Sequence, residues 1–187
     1  MRKFFLALAI AVFAATAPVS AQEQAAEEGY VWPTPEISSD LSLLPEPVRA
    51  KREALIEAAR TGDIEALRPI VEAQEFPPNF SFGAPEDGIA YLKETSEDGE
   101  GRQILGLLLD LLDQPFAYYP DREGETYYIW PYLAELPPHE LTPEQTVDAY
   151  RLLSHAELEE LRGAGAWYYW RVFISETGDW SAFVAGD

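Results

Sequence analysis

The 187-residue sequence predicts an α+β domain, about six helices covering two antiparallel β-hairpins that form one sheet. Three observations predict it. Apolar residues recur at helical spacing between recognisable caps, from Pro47 to Leu112 and again from Thr142 to Arg162. Two pairs of aromatic, β-branched runs, Phe116–Tyr119 with Thr126–Leu133 and Trp167–Ser175 with Trp180–Ala185, are each joined by a turn-forming segment. Finally, 47% of residues are hydrophobic and 13% aromatic, enough to build a core despite 33 acidic side chains, which argues against a disordered chain.

The first segment stands outside that domain. Arg2 and Lys3 precede an apolar run from Phe4 to Ala15, and Val19-Ser20-Ala21 supplies a small-residue cleavage pattern. Residues 1–21 therefore read as a secretory signal peptide cleaved before Gln22, and the alanine-rich run points to the bacterial periplasm. The run is too short for a spanning helix, which needs roughly 20 apolar residues, so no membrane insertion is expected after cleavage. There is no cysteine to carry a lipid anchor, a disulfide, a thiolate metal site or a haem.

Residues 22–46 read as an extended arm, because Pro33, Pro35 and Pro45 disfavour helix. Tyr30, Val31 and Trp32 are apolar enough to be expected to pin it to the domain, a partner contact being the sharper alternative. Residues 47–187 form the single globular domain. Pro47 suits the first turn of a helix carrying Val48, Leu55, Ile56 and Ala59, and Gly62 stops it. Asp63 caps a second helix running to Val71, interrupted at Pro69. The string from Arg60 to Leu67 resembles the helix–turn–helix joint of ankyrin repeats and the first helices of NTF2-like domains, which implies a tight joint and no function.

Pro85-Glu86-Asp87 opens a third helix to about Thr95, and the acidic stretch Glu97–Gly101 breaks it. Ile104, Leu105, Leu107, Leu108, Leu109, Leu111 and Leu112 then make a helix apolar nearly all round, the expected central buried helix. After the first hairpin, Thr142-Pro143-Glu144-Gln145 and Ser154-His155-Ala156-Glu157 are capping boxes for two more helices. Pro85, Glu86, Ile89 and Ser96 match Pro143, Glu144, Val147 and Ser154 at one offset, a sparse echo of an internal repeat. As a whole the chain resembles secreted bacterial proteins of unknown function, on Ile129-Trp130-Pro131-Tyr132, Leu141-Thr142-Pro143 and the terminal Trp180–Asp187. That resemblance implies export and transfers no site.

Charge narrows the partners. Cleavage removes two of the 13 basic residues and none of the 33 acidic ones, leaving a side-chain charge of −22. Such a field repels nucleic acid and anionic lipid, both of which need clustered Lys and Arg. Solubility alone accounts for the acidity, and attraction of cationic peptides or divalent ions is the functional alternative.

No nucleophile elbow, P-loop, paired-histidine zinc helix or EF-hand loop is present, so no catalytic residue, metal site or cofactor is assigned. His139 lies in a loop, and His155 with Glu159 supplies two ligands from one helix, short of a metal site. Glu94, Glu97, Asp98 and Glu100 are dense but lack the spacing of a calcium loop. A glycosidase would need one chosen pair of carboxylates, and the sequence offers too many to choose.

The most informative run is Trp167–Ser175. Strand alternation would put Tyr168, Trp170, Val172 and Ile174 on a core face and Trp167, Tyr169, Arg171 and Phe173 on the other. Trp, Tyr and Arg together favour recognition, so these four are the candidate binding residues, suited to a cell-wall glycan or peptide or an envelope protein. The competing expectation is that helices cover both faces and Arg171 pairs with an acid. The sequence thus points to a non-catalytic periplasmic accessory or binding protein of the cell envelope, with an envelope glycan hydrolase using a carboxylate pair as the alternative.

Overall fold

The computed structural model describes residues 33–120 and 124–186. The leader, its cleavage point at Gln22, Tyr30–Trp32 and the hairpin tip 121–123 lie outside the described residues. The architecture is α+β: six α-helices and one five-stranded antiparallel sheet whose strands, β1 (Glu36–Ser38), β2 (Phe116–Tyr118), β3 (Tyr127–Trp130), β4 (Arg171–Ser175) and β5 (Trp180–Val184), lie side by side in chain order. The two expected hairpins supply four strands and join through β3 and β4, with Ile129 opposite Phe173 and Trp130 opposite Val172. The fifth comes from the proline-rich arm, where Ile37 sits opposite Ala117 at the sheet edge. Only pairing with β2 makes that segment a strand, so local composition did not announce it.

The helices follow their caps. α1 (Glu46–Arg60) has proline in its first turn and ends ahead of Gly62, whose φ of +71° suits glycine. Asp63 accepts from the Glu65 N–H, but Pro69 divides the expected second helix into a 3₁₀ turn (Ile64–Leu67) and the short α2 (Arg68–Glu72). α3 (Gly88–Thr95) starts at Gly88 rather than Pro85, because the Asp87 carboxylate accepts from the N–H groups of Ile89 and Ala90. In α5 (Pro143–Tyr150) and α6 (His155–Ala164) both capping boxes form, Thr142 with Gln145 and Ser154 with Glu157. Under the proposed internal echo Gly88 would align with Thr146, inside α5 rather than at its start, so the two helices are out of step.

α4 (Arg102–Leu112) buries Ile104, Leu105, Leu108, Leu111 and Leu112, as its apolar pattern predicts. Asp98 caps it, accepting from the N–H groups of Gly101 and Arg102. Its pKa is lowered, first by the Ser96 hydroxyl bonded to it. The acidic stretch before α4 thus contains a helix cap. At its other end Arg52 donates to the Leu112 carbonyl at 2.7 and 3.2 Å.

The core is double. α1 to α4 cover one sheet face, where Phe116, Trp130, Val172, Ile174 and Phe183 join Leu55, Leu92 and Leu108. Behind the sheet a smaller cluster gathers Ala117, Leu133, Ala149, Leu158 and Leu161 beneath α5, α6 and the 3₁₀ turn Tyr132–Glu135. No helix among the described residues is long and apolar enough to cross a membrane.

Candidate functional site

The strand expected over Trp167–Ser175 begins only at Arg171, and the two-faced pattern fails ahead of it. Gly165 ends α6 in the left-handed region at φ +73°, and the chain then drops Trp167 into the second core, where it is only 4% exposed. Burial under α6 outweighs alternation. Tyr169 meets Trp167 edge-to-face at 6.2 Å, and Tyr168 packs against the same cluster, so neighbours meant for opposite faces share one. Arg171 donates to the carbonyls of Trp167 (3.0 Å) and Gly186 (2.6 Å). It fastens the C-terminal segment to the entry of β4, and no acid among the described residues forms an ion pair with it. Phe173 lies half-buried in its strand, opposite Ile129 and Ala182. Trp167 and Tyr169 come together, Arg171 reaches Trp167 through its backbone, and the four form no single open aromatic face.

The titratable candidates are dispersed. His155 Nδ1 lies 3.0 Å from the Tyr150 hydroxyl, while Glu159 accepts from Arg162 at 2.8 Å. His139 Nε2 lies 3.6 Å from the adjacent Glu140. No group of three or more His, Asp or Glu placed to hold a metal exists among the described residues. Among the described residues, the carboxyl pKa values of Asp40, Asp87 and Asp98 are held low by hydrogen bonds they accept.

A different segment gathers the features of a recognition surface. Ala73–Asp87 connects α2 to α3 with no element of its own, at the length, about 12–15 residues, where such connections become uncommon and are either functional or disordered linkers. Gln74 anchors its start by imitating a strand: the side-chain oxygen accepts from Trp180 N (2.7 Å), and the amide donates to Trp180 O (3.1 Å). Asn79 bridges the outer edge of β5, donating its N–H to Ser181 O and accepting from Phe183 N, both at 2.9 Å. Phe80 is buried edge-to-face on Trp180 with ring centroids 5.1 Å apart. Gly88 is required beneath it, since a Cβ there would lie 2.1 Å from the Phe80 ring.

On this fixed loop, Phe76 is 75% and Phe82 62% exposed. Phe82 stands beside Gly186, the residue whose carbonyl Arg171 holds. Between loop and helices lies a cleft of about 500 Å³ with Val71, Phe80 and Ile89 among its apolar lining. A second, of about 220 Å³, opens on the far side of Pro77 and Ser181, against Tyr127 and Trp180. Arg68 lines the first cleft but is engaged by Glu65 at 2.6 Å and Asp87 at 3.2 Å, which keep its guanidinium charged.

Comparison of the chain with protein-family models, with curated proteins and with solved structures finds no match. The surface is therefore read from its own chemistry. Its sequence signal was three phenylalanines, Phe76, Phe80 and Phe82, interleaved with Pro77, Pro78 and Gly83 and lacking any helix or strand period. Such a pattern gives the chain no regular element in which to hide all its aromatic rings.

Proposed function

We propose that this chain is a non-catalytic accessory or binding protein of the bacterial cell envelope, exported to the periplasm. The observation carrying the reading is the pair Phe76 and Phe82, held out to solvent on a loop whose backbone is bonded to β5 and whose Phe80 is buried. A loose loop exposes apolar rings at no structural cost. An anchored one that still exposes them has lost the ordering entropy before any partner arrives, which favours tight association.

Capture of envelope proteins with the wild-type protein and with Phe76→Ser/Phe82→Ser tests the surface. The double variant should melt within a few degrees of wild type, since exposed substitutions usually change stability by no more than ~0.5 kcal/mol. It should lose partners that the wild type retains. Identical captured sets would remove Phe76 and Phe82 from the reading. Export is checked separately, as intact mass of the periplasmic protein should show a chain starting at Gln22, and retention of residues 1–21 would refute it.

A further inference from the structure

Resting on that reading, we infer that the paired clefts around Pro77 take an extended peptide that presents both lysine or arginine and apolar side chains to each of its two sides. Apolar surface open to a ligand comes from Val71, Pro77 and Pro85 in the first cleft and from Phe76 and Tyr127 in the second, with Phe80, Ile89 and Trp180 buried behind it. Charge complementarity identifies the occupant. Glu72 and Glu86 line the first cleft and Glu125 the second; Asp87 is already paired with Arg68, and Asp179 lies in the field of Lys51, so among the described lining residues those three glutamates have no cation of their own. A neutral or anionic ligand would leave those carboxylates facing its apolar groups, whereas a basic one satisfies them. Because Pro77 and Ser181 line both clefts, the occupant must pass over a shared ridge with its side chains falling to either hand. An extended peptide does this, since successive side chains project to opposite sides.

Fluorescence anisotropy on the purified protein at physiological salt tests the assignment with a labelled peptide of repeating Lys-Lys-Phe-Phe (Lys/Phe), which places both residue types on each side of an extended chain. Repeats of Lys-Lys-Ser-Ser (Lys/Ser) and Glu-Glu-Phe-Phe (Glu/Phe), together with chitotetraose, serve as comparisons. The Lys/Phe peptide should bind about tenfold or more tightly than Lys/Ser, reflecting apolar burial in addition to the attraction any polycation feels for an acidic protein. Phe76→Ser should abolish that preference, and Glu72→Gln/Glu86→Gln should weaken binding about three- to tenfold, whereas Val147→Ser, on the exposed side of α5, should leave it unchanged. Equal affinity for Lys/Phe and Lys/Ser, or indifference to Phe76→Ser, overturns the inference. Should Phe76→Ser instead abolish binding of chitotetraose or the Glu/Phe peptide, the cationic peptide is wrong while the recognition surface stands. The surface itself falls only if the double phenylalanine variant also captures the same envelope partners as wild type.

Discussion

Leu108→Ala should destabilise the protein by ~2–5 kcal/mol, the range for truncating a leucine that solvent does not reach. Leu108 has no exposed surface and sits on the helix that contacts α1, α3 and β4 together. A cavity there would be lined from both the helical layer and the sheet, and a wall shared by several elements cannot collapse inward from one side. Asp113, the residue that follows α4, is the control. Its carboxylate is 71% exposed and bonded to Arg151 at 2.6 Å, so Asp113→Ala should cost no more than ~1 kcal/mol, as exposed ion pairs do. Urea denaturation of both variants decides it. A Leu108→Ala midpoint equal to that of wild type would mean α4 is not the keystone of the core.

What the sequence disclosed about this fold depended on how local each determinant is. Thr142 with Gln145 and Ser154 with Glu157 are complete within one turn, and both helices start where those residues place them. Ile104, Leu105, Leu108, Leu111 and Leu112 of α4 likewise declared their burial through their apolar run, although Leu107 and Leu109 are only half-buried, so the helix is less enclosed than that run implied. β1 was not legible: Glu36–Ser38 becomes a strand through β2, about 80 residues downstream, and nothing in its proline-rich surroundings encodes that pairing. The alternation expected over Trp167–Ser175 broke down for a related reason. Alternation assumes that a strand continues, yet the chain from Trp167 to Trp170 is committed elsewhere. Arg171 takes the Trp167 carbonyl and Gly186 the Tyr168 carbonyl, so those groups are unavailable to a sheet. The anchored loop escaped notice for the opposite cause. Its order derives from Gln74 and Asn79 bonding to β5, contacts that no local pattern reports.

Trp167→Ala should therefore act on stability, with a loss of ~3–5 kcal/mol, the usual cost of deleting a buried tryptophan. The ring is packed among Leu158, Leu161 and Leu133 in the smaller core, and that cluster holds α5 and α6 against the back of the sheet. Its indole N–H finds no partner among the described residues, so the loss should be one of packing alone. Trp167→Phe separates these contributions. It keeps much of the apolar volume and deletes the unpartnered N–H, so it should cost clearly less than Trp167→Ala, whereas a hydrogen-bonded tryptophan would suffer from either change. Denaturation midpoints for the two variants measure the difference. Peptide binding corrected for the unfolded fraction should be unchanged in both, because the recognition surface lies on the Phe76 loop. Wild-type stability in Trp167→Ala combined with lost binding would return the site to the Trp167–Phe173 segment and take it away from Phe76.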